Sequence, residues 1–195
     1  MASSVEVARY LIHLASPRED EDVDCLCHLR LQKLLYYVQG WHLGAKGKPL
    51  FSGQIEAWTN GPVVREVYPV FADYKYSSIP PVEGKDSAAL SKGEKDFILC
   101  VWERYKQYSA TALRDKTHRE PPWQGARGHS APHEKSSAVI THDSMRNYFG
   151  HLVATRLPRG ISLEQLIQAE DDIEQGRFRT HQELQARLAE KGHAV

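Results

Sequence analysis

Apolar positions along the first half of this chain recur mostly at helical spacing. Val5, Ala8, Leu11, Ile12 and Ala15 fall on one face of a first helix, with Ser3 and Glu6 as an opening capping box and Pro17 as its stop. The acidic run Arg18-Glu19-Asp20-Glu21-Asp22 reads as a solvated connection. Leu31, Leu34, Leu35 and Val38 then stand at i, i+3, i+4 and i+7 and predict a helix with one buried stripe, flanked by the i, i+4 pair Tyr37 and Trp41. This helix is expected to end near Gly44, with a turn at Gly47-Lys48-Pro49. Partial alternation from Phe51 to Trp58 predicts a short strand. Asn60-Gly61-Pro62 predicts a helix start, because proline at the first helical position loses no hydrogen bond. Val63, Val67 and Phe71 would share a face of that helix, and Pro69 would bend or end it.

In the second half, Ser91 and Glu94 form another capping box. They open a helix to about Tyr105 whose stripe is Phe97, Ile98, Val101, Trp102 and Tyr105. A shorter helix is expected over 109–116, irregular chain over 119–137 and an extended piece over 138–141. A last helix, capped by Thr141 or Asp143, carries Met145, Tyr148 and Phe149. Leu157-Pro158-Arg159-Gly160 reads as a linker that divides the chain into 1–156 and 157–195. Beyond it, Leu166, Ala169 and Ile173 make a narrow stripe, Arg177-Phe178-Arg179 an extended step, and Leu184 and Leu188 the apolar positions of one more helix. So thin a stripe does not hold a short helix by itself in water, so this segment needs either its own domain or a partner to lean on. The fold class expected is mainly α: a compact helical domain with a few short β-strands, plus a helical C-terminal extension.

Composition narrows the classes further. The 195 residues carry 25 basic and 25 acidic side chains and no formal net charge, which gives no support to a general nucleic-acid coat. No run of about 18 apolar residues occurs, the first residues lack the pattern of a signal peptide, and three cysteines are an odd number for a disulfide framework. A cytoplasmic protein with no membrane span is expected. Neither a Gly-x-Gly-x-x-Gly or phosphate loop nor a Gly-x-Ser-x-Gly elbow is present. Cys25 and Cys27 are separated by one residue, too few for a usual zinc pair, and His118, His129, His133 and His142 are spread in and around the irregular loop. No metal, cofactor or catalytic set is therefore expected, although a small hydrolase built on Cys25, Cys27 or His118 stays open as an alternative. The aromatic residues are numerous; Trp58 and Trp102 are expected in the core, whereas His118-Arg119-Glu120-Pro121-Pro122-Trp123 suits a structural plug or a contact point equally well.

Leu31-Gln32-Lys33-Leu34-Leu35-Tyr36-Tyr37-Val38-Gln39-Gly40-Trp41 resembles the opening signature of the Panacea antitoxin domain family, SocA-like or GepA-like. The resemblance continues through Ile55-Glu56-Ala57-Trp58, Gly61-Pro62-Val63-Val64, Val67-Tyr68, Thr117-His118 with Glu120, Pro122-Trp123 and Tyr148-Phe149. Its motif residues, mostly structural, are Lys33, Leu34, Tyr36, Trp41, Trp58, Gly61, Pro62, Val63, Tyr68, His118, Pro122 and Trp123. Pro69 and the stretch 125–131 depart from it.

The resemblance implies an antitoxin of a type II toxin–antitoxin pair, neutralising a cognate toxin protein by direct binding, and not an enzyme. In the SocA branch it implies instead an adaptor that delivers the toxin to a Clp protease. The tail resembles the C-terminal arms of antitoxins that wrap RelE/ParE-type toxins. Leu166, Ile173, Phe178, Leu184 and Leu188 would be its apolar anchors, with Arg177 and Arg179 meeting acidic toxin groups. Docking of the tail on its own domain is the alternative. A homo-oligomer is left open, and nucleic-acid binding has only weak support.

Overall fold

The structure is a computed structural model and describes residues 1–15, 26–80, 89–131 and 133–156. Among these residues the fold is mainly α, with seven α-helices and one two-stranded antiparallel sheet.

The first helix, α1 (Ser4–Leu14), buries Val7, Ala8, Leu11 and Ile12, while Val5 stays half-buried. Ser3 is its N-cap by backbone geometry, but no capping side-chain bond forms; Glu6 pairs with Arg9 instead. Helix α2 (His28–Lys46) is the centre of the molecule. Tyr37 and Trp41, read as its flank, are buried, as are residues on every other side. It runs past Gly44 and ends at Gly47, whose φ of 71° supplies the left-handed residue that closes the last turn onto the Leu43 carbonyl.

The predicted helix start at Asn60-Gly61-Pro62 is instead a hairpin. Strands β1 (Ile55–Trp58) and β2 (Gly61–Val64) pair with Trp58 opposite Gly61, leaving Thr59-Asn60 as a two-residue turn. Gly61 has φ of 95°, which a helix start does not allow; with Thr59 and Asn60 both at negative φ, it is the left-handed residue that returns the chain from the turn into β2. Pro62 fits because β2 is an edge strand, where a missing N–H breaks no ladder. On its other side β1 is joined by the extended piece, Ala57 N–H donating to the Ala138 carbonyl and Ile140 N–H to that of Ile55. Helix α3 (Tyr68–Phe71) follows with Pro69 in its first turn, so the proline starts a helix rather than kinking one, and a 3₁₀ turn continues it over Ala72–Tyr74.

Helix α4 (Lys92–Tyr105) opens with the expected Ser91–Glu94 capping box and buries the expected stripe. Helix α5 (Ala110–His118) is capped by Ser109. The chain from 119 to 137 is not all irregular: α6 (Pro121–Arg127) begins on the Pro-Pro pair, both prolines standing where no helical N–H is needed. The last helix, α7 (His142–Arg156), is capped by the Thr141 hydroxyl, which accepts from Ser144 N–H at 3.1 Å.

Helices α2 and α7 pack most closely. Phe149 of α7 lies among the rings of Tyr36, Tyr37 and Trp41, with centroids 5.6, 6.3 and 5.4 Å away. Gly40 and Gly44 make room for it: a Cβ on Gly40 would stand 2.2 Å from the Phe149 ring, and one on Gly44 2.6 Å from the Phe149 backbone. No helix among the described residues is long and apolar enough to cross a membrane.

Candidate functional site

Helix α2 is unusual in burying polar side chains along with apolar ones, and most of them reach out to hold a neighbouring element. An unpaired polar group in a core costs roughly 1–3 kcal/mol, so these side chains persist only with their bonds made. Gln32 Oε1 accepts from Val64 N–H at 2.8 Å, and Lys33 Nζ donates to the Pro62 carbonyl at 2.8 Å. Between them they occupy the outer edge of β2, where a third strand would otherwise pair. Gln39 accepts from Leu50 N–H at 2.9 Å and donates to the Phe51 carbonyl at 2.9 Å, fixing the chain after α2. Arg30 donates to the Lys106 carbonyl at the end of α4 and lies over the Trp102 ring. Tyr36 and Tyr37 both donate to the Glu120 carboxylate at 2.9 Å, tying α2 to the start of α6.

Burial sets the electrostatics of this frame. Lys33 is pulled down to about 7, by desolvation first and then by the nearby Arg114 charge. Glu120 is pushed up to about 7 by desolvation, which outweighs the opposing pull of the two tyrosine hydroxyls. Those hydroxyls are themselves raised, through burial and the facing carboxylate. Tyr105 is pushed up to about 12, mainly by burial; it stacks on Tyr37 at 4.1 Å and accepts from Trp41 Nε1 at 2.9 Å.

The structure brings the motif residues together around the hairpin and its supports. Gly61 is closed in by Lys33 and Thr117, so that a Cβ there would stand 2.7 Å from Lys33 Cε and 2.9 Å from Thr117 Oγ1. Trp123 Nε1 donates to the Trp58 carbonyl at 3.1 Å. The Trp123 ring stacks on His118 at 4.1 Å and lies under the Arg127 guanidinium. The Pro-Pro-Trp segment is thus a structural plug under the hairpin. His118 is lowered, chiefly by desolvation and then by the charge of Lys33, and its Nε2 is buried without a hydrogen-bond partner among the described residues. Leu34, Trp41, Pro62 and Val63 are buried, as is Pro122, while Trp58 and Tyr68 are half-buried with rings 4.6 Å apart.

Sequence reasoning did not single out Arg30, Gln32, Gln39, Glu56, Glu120 or Arg127 as site residues. Arg127 binds the Ala57, Ala131 and Glu134 carbonyls, and so shapes the loop after α6. The available signal was polar residues on every face of a helix that the apolar pattern already marked as central.

Of the alternative Cys/His set, Cys25 lies outside the described residues, Cys27 is the N-cap residue of α2, and His118 ends α5. No group of three or more His, Cys, Asp or Glu among the described residues is placed to hold a metal ion. The arm residues Leu166, Ile173, Arg177, Phe178, Arg179, Leu184 and Leu188 all lie outside the described residues.

A helical domain centred on one buried, polar-strutted helix with a hairpin against it is what the motif encodes. Residues 31–124, nearly half the chain, match the family model described as Antitoxin SocA-like, Panacea domain. The matched stretch contains all the motif residues from Lys33 to Trp123, so this part of the chain is similar to a SocA-like Panacea domain. Antitoxin SocA of Caulobacter vibrioides (strain NA1000 / CB15N) is 49% identical over 47 residues, covering 24% of this chain and 25% of that protein. The chain therefore aligns with about a quarter of the length of the curated relative it matches. No solved structure matches it.

Proposed function

We propose that this chain is the antitoxin of a type II toxin–antitoxin pair and neutralises its toxin by direct binding. The observation that carries the reading is the Panacea-domain match over residues 31–124, supported by the identity to a protein named Antitoxin SocA. Physical chemistry agrees with it: most of the motif residues, Lys33 and Tyr36 among them, hold the fold together from within, and binding by surface and tail is the work this reading gives the molecule. In this reading 1–156 is the framed domain and 157–195 a toxin-binding arm. Leu166, Ile173, Phe178, Leu184 and Leu188 are its anchors, and Arg177 and Arg179 its charged contacts; a thin stripe with a charged remainder suits a segment that orders on a partner.

The test is co-expression with the product of the adjacent gene. Growth rescue with toxin persisting at an undiminished level is expected. Rescue accompanied by loss of the toxin would transfer the function to delivery to a protease such as Clp. Toxicity that persists at stoichiometric expression would refute the antitoxin reading.

A further inference from the structure

A cleft of about 800 Å³ opens between the first turn of α2, the hairpin, the 3₁₀ turn with its following residues, and residues 135–137. Its aromatic wall is the Trp58–Tyr68 pair, with the His28 ring 4.7 Å from Tyr68. Both Trp58 and Tyr68 are only half-buried, so ring surface is still presented. Its rim is cationic. Arg65, Lys75 and Lys135 are all exposed, and Lys75 and Lys135 join no ion pair among the described residues. Glu56 is the single carboxylate among the lining residues described, and it is already engaged by Trp58 Nε1 at 2.6 Å and Arg65 Nη1 at 3.0 Å. Lys75 has φ of 48°, a conformation that non-glycine residues rarely adopt, and Tyr76 beside it is 86% exposed.

We propose that this cleft docks an acidic segment of a partner protein, one apolar side chain seating against Trp58 and Tyr68 while flanking carboxylates meet Lys75, Lys135 and Arg65. A half-exposed aromatic pair rimmed by Arg65, which Glu56 pairs, and by two lysines with no ion pair among the described residues has the anatomy of a protein-binding hot spot, and charge complementarity selects the partner's sign. Nucleic acid is disfavoured. The chain has no net positive charge, and the fourth lysine or arginine among the described lining residues, Lys33, is fully buried and committed to the Pro62 carbonyl, so it does not extend the basic rim. The inference rests on the reading of this chain as a protein-binding module, but its test uses no toxin.

The experiment is calorimetric titration of the full chain with a capped Glu-Asp-Glu-Phe-Glu-Asp-Glu peptide, with the all-lysine counterpart of its acidic positions as control. Saturable one-to-one binding of the acidic peptide is expected, weakening as salt rises, with none for the lysine peptide. The double variant K75E/K135E should lose at least about tenfold in affinity, and K75Q/K135Q less, both at unchanged melting temperature because these side chains are exposed. Absence of saturable binding, equal binding of both peptides or an unaffected double variant would overturn the proposal. So would tighter binding of a single-stranded oligonucleotide that the same variant abolishes. Peptide binding that emerges only after Glu19, Asp20, Glu21 and Asp22 are neutralised would overturn it in favour of the chain's own acidic run. Growth rescue by the wild-type chain is read separately, so failure of the cleft and failure of the antitoxin reading are distinguishable.

Discussion

Lys33 and Glu120 are a buried cation and a buried carboxylate, both titrating near pH 7, and they act on stability in opposite pH windows. Glu120 is raised in the fold, so between about pH 4.5 and about 7 the folded state holds more proton than the unfolded one. Its contribution is full below that window and is lost as pH rises through it. Lys33 is depressed, so its contribution is full above about pH 10.5 and is lost as pH falls to about 7. Each group supplies a slope of at most about 1.4 kcal/mol per pH unit. Denaturant titrations across pH should therefore show Glu120→Gln removing a fall in stability as pH rises from about 4.5 to about 7, and Lys33→Met removing a rise in stability as pH goes from about 7 to about 10.5. Unchanged slopes in both variants would show that neither group is held in the buried state described. These side chains were the least legible part of the sequence. A lysine, a glutamine or a tyrosine between leucines is ordinarily the solvated side of a helix, and only the surrounding elements turn that side inward.

At the scale of elements, helices with a stripe and a cap were readable: α4 and α7 formed as their spacing and capping residues predict, because local signal and tertiary burial agree there. The hairpin was not. Asn-Gly-Pro suits a helix start and a tight turn equally, and the choice fell to Lys33 and Gln32, which occupy the edge of β2 from thirty residues upstream. Helix α6 was hidden for a related reason, since Pro121-Pro122 breaks a helix when interior and begins one when first. The packing of α2 on α7 gives a sharper prediction. Gly44→Ala places its methyl against the backbone of α7, which cannot rotate away, and should cost about 1–3 kcal/mol in thermal or denaturant melts. Gly125→Ala in α6 meets open space at an ordinary φ and should stabilise by about 0.4–1 kcal/mol. Equal effects of the two substitutions would contradict the close helix crossing.

For the whole molecule, the fold class and the likeness of residues 31–124 to the Panacea domain were legible because they depend on apolar spacing and on a contiguous motif. The cleft was not, since Trp58, Tyr68, Lys75 and Lys135 are scattered in sequence and meet only through the hairpin, α3 and the strand-like piece after α6. The proposed division of labour between a framed domain and an arm predicts that deleting residues 160–195 abolishes growth rescue while leaving the cooperative melt of the remaining chain in place. A truncated chain that still rescues growth would remove the arm from the account.

The most direct measurement is to mix the purified full chain with the purified product of the adjacent gene, in the absence of any protease, and follow both mass and toxin activity. Direct neutralisation predicts a stable complex of fixed stoichiometry in which the toxin is intact and inactive. Full toxin activity with no complex would contradict it.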